Sequence, residues 1–377
     1  MTTMGGGDMA DLLFDVRHIN SSGIGTYIRM QLPYLAEILP RNGLKLAILA
    51  DPDSAPQVGA DTEVVLAQPA NASMYSLNEQ RSWDHALRIC RPRAIWLPQY
   101  PYPFPLMRPA HRAVKAFVTV HDTIQLLPPE ISDQNWIRRA YARTMFTIDA
   151  RQCRAIFTPS EATAAALRQV ARCAPIVSPI PVGADWFADV DADLSPVRGR
   201  YLLYVGNVKR HKNLPMLLQA FADVAESIPH NLVIAGGGES LRTLDERVRE
   251  LADSLGDRVI LAGRLDFEAL RALMAGAEIL VMPSLCEGAG LPPLEAMASH
   301  TAVLSSNIPA LKETCGDGAD YFDPTDTQGL ASLLRKYGND DDARADLAAR
   351  GWSHVTERQS TARFTAAVDT ICAELRT

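Results

Sequence analysis

The chain of 377 residues is too long for one ordinary domain and comfortable for two, and its hydrophobic (47%) and charged (21%) fractions suit a soluble globular protein with sizeable cores. A net charge of −7 and a pI near 5.7 argue against nucleic acid as the main partner, and no run of about eighteen apolar residues is present to cross a bilayer. Residues 1–10 are Gly-rich and polar, without the basic-then-apolar layout of a secretion signal, and read as a disordered leader. Cys90, Cys153, Cys173, Cys286, Cys315 and Cys372 form no Cys-x-x-Cys pair, so reduced, mostly buried thiols of a cytoplasmic protein are expected. Charge is uneven: from Arg81 to Arg172, 14 Lys+Arg meet 6 Asp+Glu, giving +8 there and −15 elsewhere. That stretch is either an ordinary solvated face or a basic patch for a phosphorylated acceptor or an anionic membrane surface.

Along the chain, short apolar runs alternate with helix-period segments. Strands are predicted at 12–16, 45–50, 63–67, 94–97, 116–121 and 155–158, and helices at 25–39, 135–151 and 160–171, the last with Ser160 as its N-cap. The runs are rich in Val, Ile, Leu and Phe and lack strict alternation, as in strands covered on both faces. The pattern restarts after Pro181-Val182-Gly183. Strands follow at 201–205, 231–235, 258–262, 278–282 and 302–306, with helices at 214–227, 240–255, 266–275 and 291–299. Such βαβ repeats imply an α/β fold of two parallel-sheet domains, residues 11–183 and 184–355, with 184–199 as a polar linker. A final helix at 360–376 carries an apolar stripe of Phe364, Ala367, Ile371 and Leu375.

Ligands of open parallel sheets sit beyond the carboxyl ends of the strands, so the loops there carry the chemistry. After the strand at 278–282 comes Glu287-Gly288-Ala289-Gly290-Leu291-Pro292-Pro293-Leu294-Glu295. Gly288 and Gly290 let backbone approach a ligand, Pro292 suits a first helical turn, and the N–H groups of this helix start suit a diphosphate. Glu287 and Glu295 flank that anion site as hydrogen-bond acceptors for sugar hydroxyls. After the strand at 201–205, Gly206-Asn207-Val208-Lys209-Arg210-His211-Lys212 crowds cations where a departing diphosphate gains charge. In the first half, His121-Asp122-Thr123 ends a strand, and Gly23-Ile24-Gly25 precedes a helix as a near miss to a dinucleotide fingerprint. Arg17 lies just past the first strand, where it either meets phosphate or pairs with Asp15.

The run Pro283-Ser284-x-x-Glu287-Gly288-x-Gly290-Leu291-Pro292-x-Leu294-Glu295-Ala296-Met297-Ala298 resembles the signature of the retaining glycosyltransferase family four, including its Glu-x7-Glu spacing. The resemblance runs from about residue 12 to 323. It is joined by Thr158-Pro159-Ser160-Glu161, Pro181-Val182-Gly183-Ala184-Asp185, Ala235-Gly236-Gly237-Gly238 and Ala262-Gly263-Arg264-Leu265. It implies a GT-B fold, two Rossmann-like domains facing across a cleft, with residues 356–377 crossing back to the N-domain. It also implies transfer with retention and without metal, by front-face attack in which the leaving phosphate takes the acceptor proton.

By that resemblance His121, Lys212 and Glu287 are catalytic. His121 orients the sugar and stabilises charge, Lys212 neutralises the diphosphate and Glu287 contacts donor hydroxyls. Glu295 meets the ribose. Gly23, Gly25, Gly206, Asn207, Arg210, Arg264, Gly288, Ala289, Gly290 and Leu291 complete the donor site. Asp122 and Ser160 lie on the acceptor side, although Asp122 equally suits its own loop's hydrogen bonds. The chain departs from the family at Ala289, where Phe is usual, and at Asn207, where an Arg often stands; that role passes to Lys209 or Arg210, or is unneeded. Asp51-Pro52-Asp53, an Asp-x-Asp in the wrong topology for the metal motif of the other main glycosyltransferase architecture, reads as a surface turn. The segments Tyr-Val-Gly-Asn, His-Lys-Asn and His-Asp-Thr resemble bacterial mannosyl- and rhamnosyltransferases of surface-polysaccharide assembly. They imply a GDP-linked mannose or deoxyhexose donor, no cofactor, and a glycan or polyprenyl-linked acceptor. With Trp136-Ile137-Arg138-Arg139 in the basic stretch, peripheral contact with the inner face of the cytoplasmic membrane is expected. Alternatives are a nucleotide-sugar epimerase or phosphorylase of the same architecture and a non-catalytic glycan-binding relative.

Overall fold

The computed structural model describes residues 9–236, 246–361 and 363–376. Two compact units form: Met1–Thr123 with Ala140–Ile180 and Arg363–Thr377, and Ile124–Arg139 with Pro181–Ala362. The first holds strands β1 (Leu12–Asp15), β2 (Leu46–Ala50), β3 (Thr62–Leu66), β4 (Ala94–Leu97), β5 (Lys115–Thr119), β6 (Ala155–Thr158) and β7 (Ile176–Val177). They lie in the order β3-β2-β1-β4-β5-β6-β7, with parallel pairing throughout. Helices α1 (Ser22–Arg41), α2 (Leu77–Cys90), α3 (Pro129–Ser132), α4 (Trp136–Gln152) and α5 (Glu161–Val170) run between them; α3 and the first turn of α4 cluster with the second unit.

The second sheet contains β8 (Tyr201–Val205), β9 (Asn231–Ala235), β10 (Val259–Gly263), β11 (Ile279–Met282), β12 (Ala302–Ser306) and β13 (Asp320–Phe322). Its order is β10-β9-β8-β11-β12-β13, again parallel. Its helices are α6 (Leu214–Ala222), α7 (Glu246–Leu255), α8 (Phe267–Ala275), α9 (Leu291–Ala298), α10 (Pro309–Cys315), α11 (Thr327–Asn339) and α12 (Asp341–Thr361). A last helix, α13 (Ala366–Arg376), belongs to the first unit.

Apolar runs without alternation form these strands because both faces are covered. On β8, Leu202 and Tyr204 join one buried cluster with Leu217, Phe221 and Tyr337, while Tyr201 and Leu203 join another with Leu273, Leu294 and Met297. In the first unit Trp96 is fully buried between Phe14 (ring centroids 4.8 Å) and Phe157 (5.7 Å). Its indole N–H, which would otherwise be stranded, donates to Thr119 Oγ1 at 3.1 Å.

The expected strands lie within one or two residues of the observed ones. The short β7 and β13 escaped sequence reading, as did α2, α3, α10, α11 and α12. The expected linker at 184–199 is folded into the second unit: Trp186 and Val197 are buried in its core, and Arg271 Nη2 donates to the Ala188 carbonyl at 2.9 Å. Gly237, Gly238 and the start of the helix expected from residue 240 lie outside the described residues. The stripe at the C-terminus is buried as a set, but its helix begins at Ala366, after α12 has ended. Arg93 Nη2 donates to the Leu375 carbonyl at 2.6 Å, and Arg154 pairs with Glu374 at 2.7 Å.

Asp149 of α4 is fully buried, with Oδ1 accepting from Tyr102 N at 3.0 Å and Oδ2 without a partner. Burial pushes its carboxyl up to about 7 against the ordinary 3.8. The native state therefore holds a proton that the unfolded chain releases, and stability is lost as pH rises from 3.8 through about 7. Asp149→Asn should raise stability at alkaline pH by up to ~4 kcal/mol and give little gain near the acid end, read from urea unfolding across pH.

Candidate functional site

In each sheet the strand order reverses beside the first strand of the unit, between β1 and β4 and between β8 and β11. The loops leaving the carboxyl ends of such a pair diverge and leave a crevice. In the second unit, two backbone-accepting bonds join those two loops and a third ties the first of them to the loop after β13. Asn213, at φ 57°, donates through Nδ2 to the Pro283 carbonyl (3.1 Å) and to the Pro324 carbonyl (2.8 Å). Leu285 N donates to the His211 carbonyl at 2.7 Å. Between them Lys212 Nζ meets Glu287 Oε1 at 2.6 Å, with side chains only 14% and 9% exposed. Ser284 Oγ donates to the same Oε1 at 2.6 Å, and Ser306 Oγ in turn holds the Ser284 carbonyl at 2.6 Å. Both bonds to Glu287 fall on one oxygen, which leaves Oε2 as an acceptor for a ligand hydroxyl. Ser284, Ser306 and Asn213 had no assigned role in the sequence reading. The Ser and Asn hydroxyl and amide groups reveal it only once the loops are side by side.

His211 is 6% exposed, and burial, helped by the neighbouring Lys212 charge, lowers it to about 4. It is neutral at pH 7, so the positive charge of this loop rests on Lys209, Arg210 and Lys212. Arg210 Nε is held by Asp133 Oδ1 at 2.7 Å. Asn207 is exposed, and its carbonyl accepts from Tyr204 Oη at 2.8 Å. Arg264 is exposed beyond β10, an edge strand two places from β8 and therefore about 10 Å to the side.

Gly290 precedes α9 at φ 64°, and a Cβ there would come within 2.4 Å of Leu311 Cδ2. With glycine as cap residue, no cap side chain bonds the start of α9, and since Pro292 and Pro293 carry no N–H, the amides offered there are those of Gly290 and Leu291. Gly288 is buried. Ala289 is half-buried, and its carbonyl accepts from Thr314 Oγ1 at 2.6 Å. Glu295 is half-buried on the second turn of the same helix. Gly206 takes φ 156°, its N–H donates to Ala235 O at 2.9 Å, and Gly236 packs so closely that a Cβ would lie 2.4 Å from the Gly206 carbonyl.

In the first unit, α1 starts with no side-chain bond from its cap residue Ser21. Gly25 is buried against the Ile19 carbonyl, which a Cβ would meet at 2.3 Å, whereas Gly23 is exposed with nothing within 4 Å of a Cβ. His121 Nε2 lies 2.7 Å from the Pro98 carbonyl, which can only accept, so Nε2 carries the proton and Nδ1 the lone pair. Burial lowers His121 to about 4, more than this bond raises it. A neutral ring can orient a hydroxyl; the charge stabilisation expected of His121 is not available at neutral pH. Asp122 follows it, half-buried.

Ser160 is 1% exposed. Its Oγ accepts from Thr163 N and lies against Thr163 Oγ1, both at 3.1 Å. It caps α5, and a buried, committed hydroxyl cannot serve the acceptor as expected. Of the two readings of Arg17, pairing holds: Nε and Nη2 bond Asp15 at 2.9 and 2.8 Å, and the guanidinium lies 5.0 Å from the Trp83 ring. Asp51 and Asp53 both accept from Asn71, at 2.7 and 2.9 Å, as side chains of a turn do. Among the described residues no group of three or more His, Cys, Asp or Glu is placed to hold a metal ion.

Residues 189–353 match the family model described as glycosyl transferases group 1. Over that stretch the chain resembles the group 1 glycosyl transferases. It resembles the O-antigen chain mannosyltransferase RfbU of Salmonella typhimurium, with 29% identity over 220 residues, 58% of this chain and 59% of that protein. The O-antigen chain mannosyltransferase B of Escherichia coli is 26% identical over 307 residues, 77% of each chain. Sucrose-phosphate synthase from Thermosynechococcus elongatus superposes with a TM-score of 0.72 at 18% identity, covering 98% of both chains. The fold is GT-B, and the matched residues 189–353 span the loops that hold Lys212 and Glu287.

The two glycines in the first turn of α1 separate packing from ligand approach. Gly25→Ala should cost about 1–3 kcal/mol through the clash with Ile19. Gly23→Ala should leave stability equal or raise it by about 0.5–1 kcal/mol. If Gly23 faces the donor, Gly23→Ala should nevertheless lose most of the thermal stabilisation given by a nucleotide sugar; both are read by differential scanning fluorimetry.

Proposed function

We propose that this protein is a retaining mannosyltransferase that uses GDP-mannose, without a metal ion, to extend a glycan or polyprenyl-linked oligosaccharide. The observation that carries the reading is the Lys212–Glu287 pair at the β8/β11 crevice, beside the open first turn of α9. The names of the O-antigen mannosyltransferases it resembles support mannose as the sugar. The motif Glu-x7-Glu from Glu287 to Glu295 supports retention.

In this mechanism the donor diphosphate rests on the N–H groups at the start of α9, where the helix dipole favours negative charge. As the bond from the anomeric carbon to phosphate oxygen breaks, the Lys212 ammonium neutralises the charge gained by the departing GDP. Glu287 Oε2 accepts from a hydroxyl of the mannose and fixes its orientation; Glu295 does the same for the ribose. The acceptor oxygen bonds to the anomeric carbon on the face that the phosphate leaves, and its proton passes to the leaving phosphate. His121, neutral with its Nδ1 lone pair available, takes a hydrogen bond from a sugar hydroxyl and needs no change of charge during the reaction.

Trp136 (75% exposed) and Ile137 (58%) stand beside Arg138 and Arg139, a composition suited to the interface of an anionic membrane. Co-sedimentation with vesicles containing anionic lipid should fall strongly in a Trp136→Ser/Ile137→Ser double variant. Equal binding of both proteins would remove this contact from the proposal.

A panel of nucleotide sugars tests the donor: GDP-mannose should stabilise the protein and be hydrolysed slowly without acceptor, UDP-glucose should not. Lys212→Ala should lower turnover about 10²–10³-fold, the loss typical for a group that stabilises transition-state charge. It should also lower Tm, because it leaves Glu287 buried without its cation. Full turnover in a folded Lys212→Ala protein would refute the role given to this lysine.

A further inference from the structure

The first unit carries a group of three tyrosines of which only Tyr100 belongs to its core. Tyr75 lies directly before α2, Tyr100 three residues past β4, and Tyr141 near the start of α4. All three stand at the carboxyl edge of the sheet, where His121 and Asp122 also lie, past the end of β5. The rings of Tyr75 and Tyr100 are 6.1 Å apart and tilted, and those of Tyr75 and Tyr141 are 6.2 Å apart and nearly perpendicular. Tyr100 is a packing residue on one side, 4.7 Å from the fully buried Phe146. Tyr75 and Tyr141 are not: they are 51% and 38% exposed.

Tyr75 is also held against its conformational preference. Its φ is 64°, a region that glycine and asparagine enter freely and a bulky aromatic residue avoids. The strain is fixed by Glu79, whose Oε2 accepts from Tyr75 N at 2.5 Å while its own N–H is capped by Ser76 Oγ at 3.1 Å. Glu79 is buried in turn beside Arg17, 3.9 Å from Nη2, which Asp15 anchors. A buried ion cluster thus props up one strained, solvent-facing aromatic ring. For the left-handed backbone alone Asn or Gly at position 75 would suffice. Burial raises the phenols of Tyr75 and Tyr100, and the Asp122 charge adds to the rise in both.

We propose that Tyr75, Tyr100 and Tyr141 with Asp122 form a subsite for one pyranose of the acceptor glycan. The apolar C–H face of the sugar stacks on the Tyr75 ring, Tyr141 closes one edge, and Asp122 accepts from the sugar hydroxyls. A flat apolar face with a few convergent polar groups is what a pyranose requires of its site. This assignment deepens the glycosyl-transfer reading by naming where its acceptor is held, and it gives Arg17 and Glu79 a purpose as positioning residues for Tyr75.

The test uses the full chain and methyl α-D-mannopyranoside with two other methyl glycosides as probes, read by saturation-transfer NMR. Ring C–H protons of at least one glycoside should receive saturation from the wild type. Tyr75→Asn, which fits the left-handed backbone and so preserves folding, should weaken binding at least about fivefold. Tyr75→Phe should retain it. Asp122→Asn should also weaken it, because the sugar hydroxyls lose their charged acceptor, while the stacked C–H protons stay saturated. Equal binding by Tyr75→Asn and wild type, or no glycoside bound by the wild type, overturns the subsite. Stabilisation of the wild type by GDP-mannose is measured in parallel, so a failed donor reading is told apart from a failed subsite.

Discussion

Lys212 and Glu287 come from opposite sides of the point where the second sheet reverses its strand order, and the loops on both sides are built around their contact. A carboxylate with 9% of its side chain exposed must have a cation, since removing one partner of such a pair typically costs ~3–5 kcal/mol. Asn213 and Leu285 fasten the same two loops above and below, and Ser284 takes up the rest of the shared oxygen. The pair therefore fixes the loops before any ligand arrives. A site fixed in advance does not have to be organised during the reaction, which is how charge stabilisation becomes effective.

Most of the fold could be read from the chain because it depends on local pattern. Continuous apolar runs such as Tyr201-Leu202-Leu203-Tyr204-Val205 mark strands buried on both faces, and the residues between them keep helical period. The strands that escaped are those with weak local signals. β7 has two residues and β13 three, and each is a strand only because a longer neighbour offers its free edge. The stretch 184–199 looks like a linker by its aspartates, yet Trp186 and Val197 pack into the core, an outcome decided by tertiary contact.

For the site, the Glu-x7-Glu frame and the cation-rich loop marked the right strand ends, but not how the residues meet. Spacing alone does not reveal that Lys212 touches Glu287, 75 residues away. Ser160 looked available for a ligand and is consumed by its helix. His121 looked like a source of charge, and burial makes it a neutral acceptor. Burial and commitment of hydrogen bonds are properties of the folded state, so they were the last things the sequence could convey. The tyrosines of the first unit were hidden for another reason: they come from three separated segments, and only the sheet edge assembles them.

The first unit is discontinuous. Its sheet is composed of residues before 180, but α13 supplies Ala367, Ile371 and Leu375 to its core and Glu374 to Arg154. During synthesis the usual order, in which the N-terminal domain matures first, is therefore reversed for its final packing. Its strands emerge early, yet an apolar surface stays open until α13 has been made, while the second unit, contiguous apart from Ile124–Arg139, precedes α13 in the chain. A chain lacking residues 363–376 would keep every described residue of the second unit but leave the apolar surface under α13 open, and that surface is where a chaperone would have something to hold.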